Sequence, residues 1–250
     1  MCRAFSCIIT KDERVLWEVG VDSHDELISG AGLKDDTTDG DLIKFAKIEI
    51  TPDKGYLHPE GKWTLSVDEN TTPRWLTKKK IGLCWDAFGE WKERVYSNIN
   101  LTEARNPINP LLLEPQEVTE QDIELLKQWA SVRASVRASV WDSVRASVWA
   151  SVRDSVWASV GDSVGASVWD SVRDSVWASV GDSVGDSVWA YIGSLFLNIK
   201  DWKYAPKTDG YPYQSCVDLW KRGFVPSYDG KTWRLHSGKD AKIVYQTEVK

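Results

Sequence analysis

The sequence predicts an α+β protein: an N-terminal α+β head, a central tetrapeptide-repeat β-solenoid and a small α+β C-terminal cap. Three observations carry that prediction. Residues 1–100 alternate β-prone runs with helix signals, residues 129–192 repeat a four-residue unit, and residues 193–250 return to mixed strand and helix patterns. A Pro-rich linker with a capping helix, 101–128, joins the head to the array.

In the head, Phe5–Thr10 and residues 14–19 are β-prone and are joined by Lys11-Asp12-Glu13, which predicts a hairpin. Asp22-Ser23-His24-Asp25-Glu26 supplies an N-cap and early acids, and Gly30 and Gly32 stop the short helix that follows. Residues 43–51 and Trp63–Val67 are two further strands. After Pro73, the residues Ile81, Cys84, Trp85, Phe88, Trp91 and Val95 recur at steps of three and four. That spacing predicts an amphipathic helix whose aromatic face packs on the sheet. Pro107, Pro110 and Pro115 surround Leu111-Leu112-Leu113 as a linker. Thr119 then caps a helix carrying Ile123, Leu126 and Trp129.

From Trp129 to Val188 the chain is fifteen consecutive units of the form (W/R/G)-(A/D)-S-V, closed by Trp189-Ala190-Tyr191-Ile192. A longer period overlies it. Residues 149–168 and 169–188 agree at 18 of 20 positions, differing only at Ala150/Asp170 and Ala166/Asp186. On an α-helix each four-residue step turns about 400°, so a valine stripe drifts roughly 40° per unit and leaves no fixed face. Gly161, Gly165, Gly181 and Gly185 each cost about 1 kcal/mol in a helix relative to Ala. In extended structure every Val points to one side and every Ser to the other. The expectation is therefore a β-solenoid with 20 residues per coil. A helical array is the alternative, because residues 119–138 can extend the preceding helix.

The last module begins with a short helix ending at Gly223, followed by strand, Asp229-Gly230 turn and strand over 224–235, and a final strand at 241–246. Its expected role is to cap the open end of the solenoid.

Composition narrows the classes. There are 15 Trp against 5 Phe, 42% hydrophobic and 27% charged residues, and a net charge of −6, which exclude a disordered chain and a strongly basic nucleic-acid binder. No apolar run of about 18 residues is present, and residues 1–9 lack a secretory apolar core. Four scattered cysteines fit reduced thiols in the cytoplasm.

The array, the opening Met1-Cys2-Arg3-Ala4-Phe5-Ser6-Cys7 with Val15-Leu16-Trp17 and Asp22-Ser23-His24, and Leu219-Trp220-Lys221-Arg222-Gly223 to Trp233-Arg234-Leu235-His236 resemble tetrapeptide-repeat proteins of bacteriophage and metagenomic origin. The array is also distantly similar to pentapeptide-repeat solenoids. The first resemblance implies a phage-encoded accessory protein in the bacterial cytoplasm and brings no activity with it.

The expected function is non-enzymatic binding or scaffolding, with a host protein or small ligand as partner. Trp141, Trp149, Trp157, Trp169 and Trp177, alternating with Arg145, Arg153 and Arg173, would form the binding face. One alternative is an N-terminal-cysteine amidohydrolase, in which removal of Met1 exposes Cys2 as nucleophile and amine base. A second is nucleic-acid contact by the C-terminal module, which carries a net +4 with Trp202, Tyr204, Tyr213, Trp220 and Trp233. No phosphate-cradling motif occurs, and His24, His58 and His236 have no zinc-ligand spacing, so neither a cofactor nor a metal is expected. Asp35 to Asp41 imitates part of an EF-hand loop, but Ala46 stands where its bidentate Glu belongs, so a solvated turn is expected.

Overall fold

The computed structural model describes residues 5–35, 42–53, 60–147, 150–175 and 181–248. They form two compact units. One is Met1–Asn98 with Arg145–Ser155, and the other is Ile99–Val144 with Val156–Lys250, so the array contributes to both.

In the smaller unit an antiparallel sheet has the order β2(Val15–Leu16), β1(Phe5–Thr10), β3(Phe45–Pro52), β4(Trp63–Val67). All six residues of β1 are buried, because helices cover both of its faces. Alternation along the strand sends Ile8 toward α1(His24–Gly30), where it packs with Phe45, Leu27 and Ile28. The opposite parity sends Phe5 toward α2(Lys78–Tyr96), with its ring 5.7 Å from Phe88 and 5.6 Å from Trp91. Phe88 and Trp91 of the aromatic face expected of α2 are thus core, closed by Trp63 of β4 at 4.8 Å from Phe88, whereas Trp85 of that face is exposed. Ser23 caps α1 by accepting from Glu26 N, and Thr77 caps α2 by accepting from Lys80 N.

The β-solenoid expected for the array is not formed. Every described residue of the array is helical, which is the alternative reading. The linker carries α3(Leu101–Arg105) and the start of α4(Glu120–Val132), and the array continues through a 3-10 turn over Arg133–Ser135, α5(Val136–Ser147), α6(Ala150–Trp157), a π-helix over Ala158–Gly165, α7(Ala166–Ser175) and α8(Gly181–Ser194). The drift that argued against a helix assumes one unbroken α-helix. Among the described residues a 3-10 turn over Arg133–Ser135 and a π-helix over Ala158–Gly165 interrupt that uniform winding. The π-helix counters the drift. An i→i+5 ladder winds less per residue than an α-helix, so a four-residue step there falls short of a full turn instead of overshooting. As a result every described fourth-position valine from Val136 to Val188 is at most 6% exposed.

The glycines counted against a helix serve close approach instead. A Cβ on Gly165 would lie 3.1 Å from Val188 Cγ1, and one on Gly185 would lie 2.8 Å from Arg137 Nη2. Both contacts involve α8, the central helix of the larger unit. It packs on α7, the π-helix, α9(Gln214–Lys221) and β5(Val225–Tyr228). With β6(Thr232–Ser237) and β7(Lys242–Glu248), β5 makes a three-stranded antiparallel sheet. The C-terminal module therefore covers the side of a helix, and the expected cap over an open solenoid end has nothing to close. Array serines hold non-repeat backbone in place: Ser183 Oγ accepts from Tyr228 N at 2.8 Å, and Ser143 Oγ accepts from Lys203 N at 2.9 Å.

Two charged anchors complete the unit. Asp122 closes the capping box of α4 with Thr119 and also receives the Arg222 guanidinium at 2.6 and 3.0 Å. On α8 the Asp186 carboxylate is 9% exposed and accepts from Arg133 Nη1 and Arg137 Nε, each at 2.6 Å. Burial pushes its pKa above the usual carboxylate value, and the two guanidiniums oppose that push. Arg133 also lies 5.6 Å over the Tyr228 ring and 5.8 Å over Trp233, which stack on each other at 4.8 Å.

The two array copies supply an internal control for this anchor. Replacing Asp186 with Ala strands two guanidiniums and is expected to cost about 2–4 kcal/mol in denaturant unfolding. Replacing Asp170, exposed on α7, is expected to change stability by less than about 0.5 kcal/mol.

A pH dependence follows from His236, which is fully buried. Its Nδ1–H donates to the Ala241 carbonyl at 2.8 Å, so Nε2 accepts the Ser227 hydroxyl at 2.7 Å. Burial lowers its pKa from 6.5 to about 4, with the Arg234 charge acting in the same direction. Between those values the unfolded chain binds the extra proton. The stabilisation is therefore whole above pH 6.5 and is lost as pH falls through 4, amounting to about 3 kcal/mol. Unfolding free energies measured at pH 7 and pH 4 should differ by less in His236→Gln than in the parent.

Candidate binding groove

The residues expected to form a Trp/Arg face fall in different places. Trp149 and Trp177 lie outside the described residues, as do Cys2 and residues 36–41 of the acidic turn. Trp141 is 44% exposed, and Trp157 and Trp169 are half-buried. Trp141 and Trp157 both pack on Trp189, with ring centroids at 6.1 and 3.9 Å. Arg145 is exposed and Arg153 half-buried in the smaller unit, and Arg173 is exposed on α7. The structure brings indoles together with one another. Arg133 and Arg137, outside the expected face, both bind the Asp186 carboxylate, and Arg133 also lies over the Tyr228 and Trp233 rings.

The aromatic residues of the C-terminal module turn inward. Tyr213 and Trp220 are fully buried, Trp233 and Trp202 are 6% and 7% exposed, and Tyr204 alone of the five is open, at 66%. Base stacking needs exposed ring faces, and four of these five rings offer almost none.

A concave site does form where α8 ends. The loop from α8 to α9 folds back to enclose a groove of about 510 Å³, walled by Phe196, Leu197, Ile199, Trp202 and Tyr211. Ser194, Lys200, Thr208, Asp209 and Gln214 add polar groups around it. Each wall is held from behind. Phe196 makes a β-bridge with Ile99, reinforced by Asn100 N donating to the Leu195 carbonyl at 2.8 Å. Trp202 meets Tyr211 edge to face at 4.9 Å. The Tyr211 hydroxyl donates to the Ala190 carbonyl at 2.7 Å. Burial raises its pKa well above 10, which keeps the phenol neutral.

That hydroxyl reaches α8 because residue 193 is glycine. A methyl group there would overlap Tyr211 Oη and come within 2.8 Å of Val140 Cγ2. At the rim, Leu197 is 61% exposed, and neither Lys200 nor Asp209 makes an ion pair among the described residues.

The chemistry available is recognition. Flat apolar rings line the walls, while one ammonium, one carboxylate, an amide and hydroxyls stand at the edges. The Ser194 hydroxyl donates to the Tyr191 carbonyl at 2.7 Å, and the groove lining contains no histidine or cysteine to activate it. Sequence reasoning singled out Trp202 as part of an aromatic basic module but not the groove itself. The available signal was the Gly210-Tyr211 turn facing Trp202 across a short loop, since Gly210 takes a φ of +132°. Comparison with protein-family models, curated proteins and solved structures finds no match to the chain.

Gly193→Ala is expected to destabilise the larger unit by about 1–3 kcal/mol through overpacking, and to expose Tyr211 to hydrogen exchange and ultraviolet difference absorption. Leu197→Asp, at the exposed rim, should leave the unfolding midpoint unchanged.

Proposed function

We propose that the protein is a non-enzymatic binding protein whose larger unit holds a small ligand with a flat ring in the groove beside α8. The observation that carries this reading is the groove itself: about 510 Å³, walled by Phe196, Trp202 and Tyr211, with oppositely charged groups at its rim. That volume lies within the range of small-molecule sites, and the lining mixes apolar side chains with several polar ones. A ring would lie against Leu197, Ile199 and Tyr211, the more exposed apolar part of the lining, and Lys200 or Asp209 would select for the charge it carries. No helix among the described residues is long and apolar enough to cross a membrane.

A second reading places recognition on the array, where Trp141 is 44% exposed against Trp189. It predicts a protein partner that covers that indole.

The two readings separate in one experiment. Thermal shift with a panel of planar heterocycles (nucleosides, indoles and flavins) is followed by titration calorimetry on any compound that raises the melting temperature. Binding in the groove should weaken at least tenfold in Leu197→Asp and Gln214→Ala and stay unchanged in Trp141→Ala. No stabilising compound in the panel, or affinity unchanged in both groove variants, counts against the groove. Loss of binding in Trp141→Ala alone moves the site to the array.

A further inference from the structure

Three side chains distant in sequence meet on the α1 face of the sheet in the smaller unit. His24 opens α1, Glu49 lies on β3, and Asp68 follows β4. One ligand-type atom from each lies within 4.8 Å of the other two. The convergence follows from strand parity. Glu49 pairs with Ser6 and Ser66 and so shares their face, while Phe45 and Ile8 on the same face receive α1. Asp68 N donates to the Lys47 carbonyl at 2.9 Å, which sets the residue beside β3.

The orientation of His24 is the telling feature. The ring is 7% exposed, and Nε2 lies 3.2 Å from the Ile48 carbonyl oxygen. A carbonyl can only accept, so Nε2 carries the hydrogen and Nδ1 is the nitrogen turned toward the carboxylates. Asp68 Oδ2 lies 3.3 Å from it. A ring N–H anchored on a backbone carbonyl is how proteins hold a histidine to present its other nitrogen to a metal. The His24–Asp68 spacing agrees, since two ligands about 2.0–2.1 Å from a tetrahedral zinc stand roughly 3.3 Å apart, and Glu49 lies within 4.8 Å of both.

Charge points the same way. Lys47 projects from the same strand, 2.9 Å from Asp35 and 4.0 Å from Glu69. The charge of Asp68 acts on Lys47 as well, so this neighbourhood is acidic, and a divalent cation would be favoured there.

From this juxtaposition we infer that His24 Nδ1, Glu49 and Asp68 form a binding site for a first-row divalent cation, with zinc as the best match. Imidazole with two carboxylates suits Zn²⁺ or Mn²⁺. Asp68 has a side chain 62% exposed, so its carboxylate swings in to close the site and the fourth position faces solvent. Three protein ligands with one open position is the arrangement that leaves room for a water or a ligand oxygen.

The test is calorimetric titration of the full chain, freed of metal, with ZnCl₂ and separately MnCl₂. One ion should bind per chain. Asp68→Asn and Glu49→Gln should each lower affinity at least tenfold with circular dichroism unchanged. Nitrogen-15 spectra of the parent protein supply a readout that needs no variant: zinc should shift the Nδ1 resonance of His24 and leave Nε2 protonated. Absence of saturable binding overturns the inference. So does binding that survives in both variants, or zinc that leaves Nδ1 unmoved, because the ion then sits elsewhere.

Discussion

The larger unit depends on one constraint: helix α8 is enclosed by neighbours, so its residues must be small or have partners waiting for them. Gly185, Ser183 and Ser187 meet the first condition, and Asp186 the second. Burying a lone carboxylate costs far more than a helix of this length can recover, so the two arginines and the aspartate form one unit. The duplication shows how that unit arose. In the earlier 20-residue copy the position of Asp186 is Ala166, which is exposed. One of the two differences between the copies thus falls on the residue that ties the array to itself. Arg133, recruited by the aspartate, then reaches the Tyr228–Trp233 stack and carries the constraint into the C-terminal sheet.

A period of four fits neither an α-helix nor a strand uniquely, and here the sequence was hardest to interpret. Outside the array the local signals were sufficient. Ser23 and Thr119 cap where a capping residue should, Gly223 with a φ of +85° follows α9, and Asp229 turns the chain between β5 and β6. Each is a short-range effect that a linear reading can detect. The array differs because its local signals are identical from copy to copy. Residues 158–165 and 178–185 have the same sequence, ASVGDSVG. The first is a π-helix, yet Gly181 to Gly185 of the second belong to the α-helix α8. No propensity argument can assign two conformations to one octapeptide. Packing decides, and the packing partners are long-range.

The sites show the same division. The groove is built from a loop with no repeat in it, and its aromatic walls were visible as composition but not as a surface. Trp202 and Tyr211 are nine residues apart, and their edge-to-face contact depends on how the loop closes against α8. The His24 cluster was invisible to any rule of ligand spacing, because its members come from three elements at 24, 49 and 68. A trace of it did exist in the sequence. The charged residues of strand β3 are Lys47 and Glu49, which share a face that also has to receive α1. Charged residues on a helix-covered face require partners, and parity alone tells which face they occupy.

These placements bear on what repetition can do in this chain. Near-identical copies supply identical side chains, and identical side chains meet their own kind first. Trp141 and Trp157 both pack on Trp189, the described fourth-position valines from Val136 to Val188 are buried, and Ser183 and Ser143 hold non-repeat backbone. These three of the fifteen tryptophans thus serve cohesion within the array. A recognition site needs different groups at fixed places around one space, and a duplicated tetrad cannot provide that variety until its copies diverge. The non-repeat loop between α8 and α9 and the sheet face under α1 already have that variety. Lys200, Thr208, Asp209 and Gln214 surround one, and His24, Glu49 and Asp68 converge in the other. The array reaches the loop at its last unit, where the Ala190 carbonyl accepts from Tyr211 Oη, and Gly193 just beyond it leaves room for that contact.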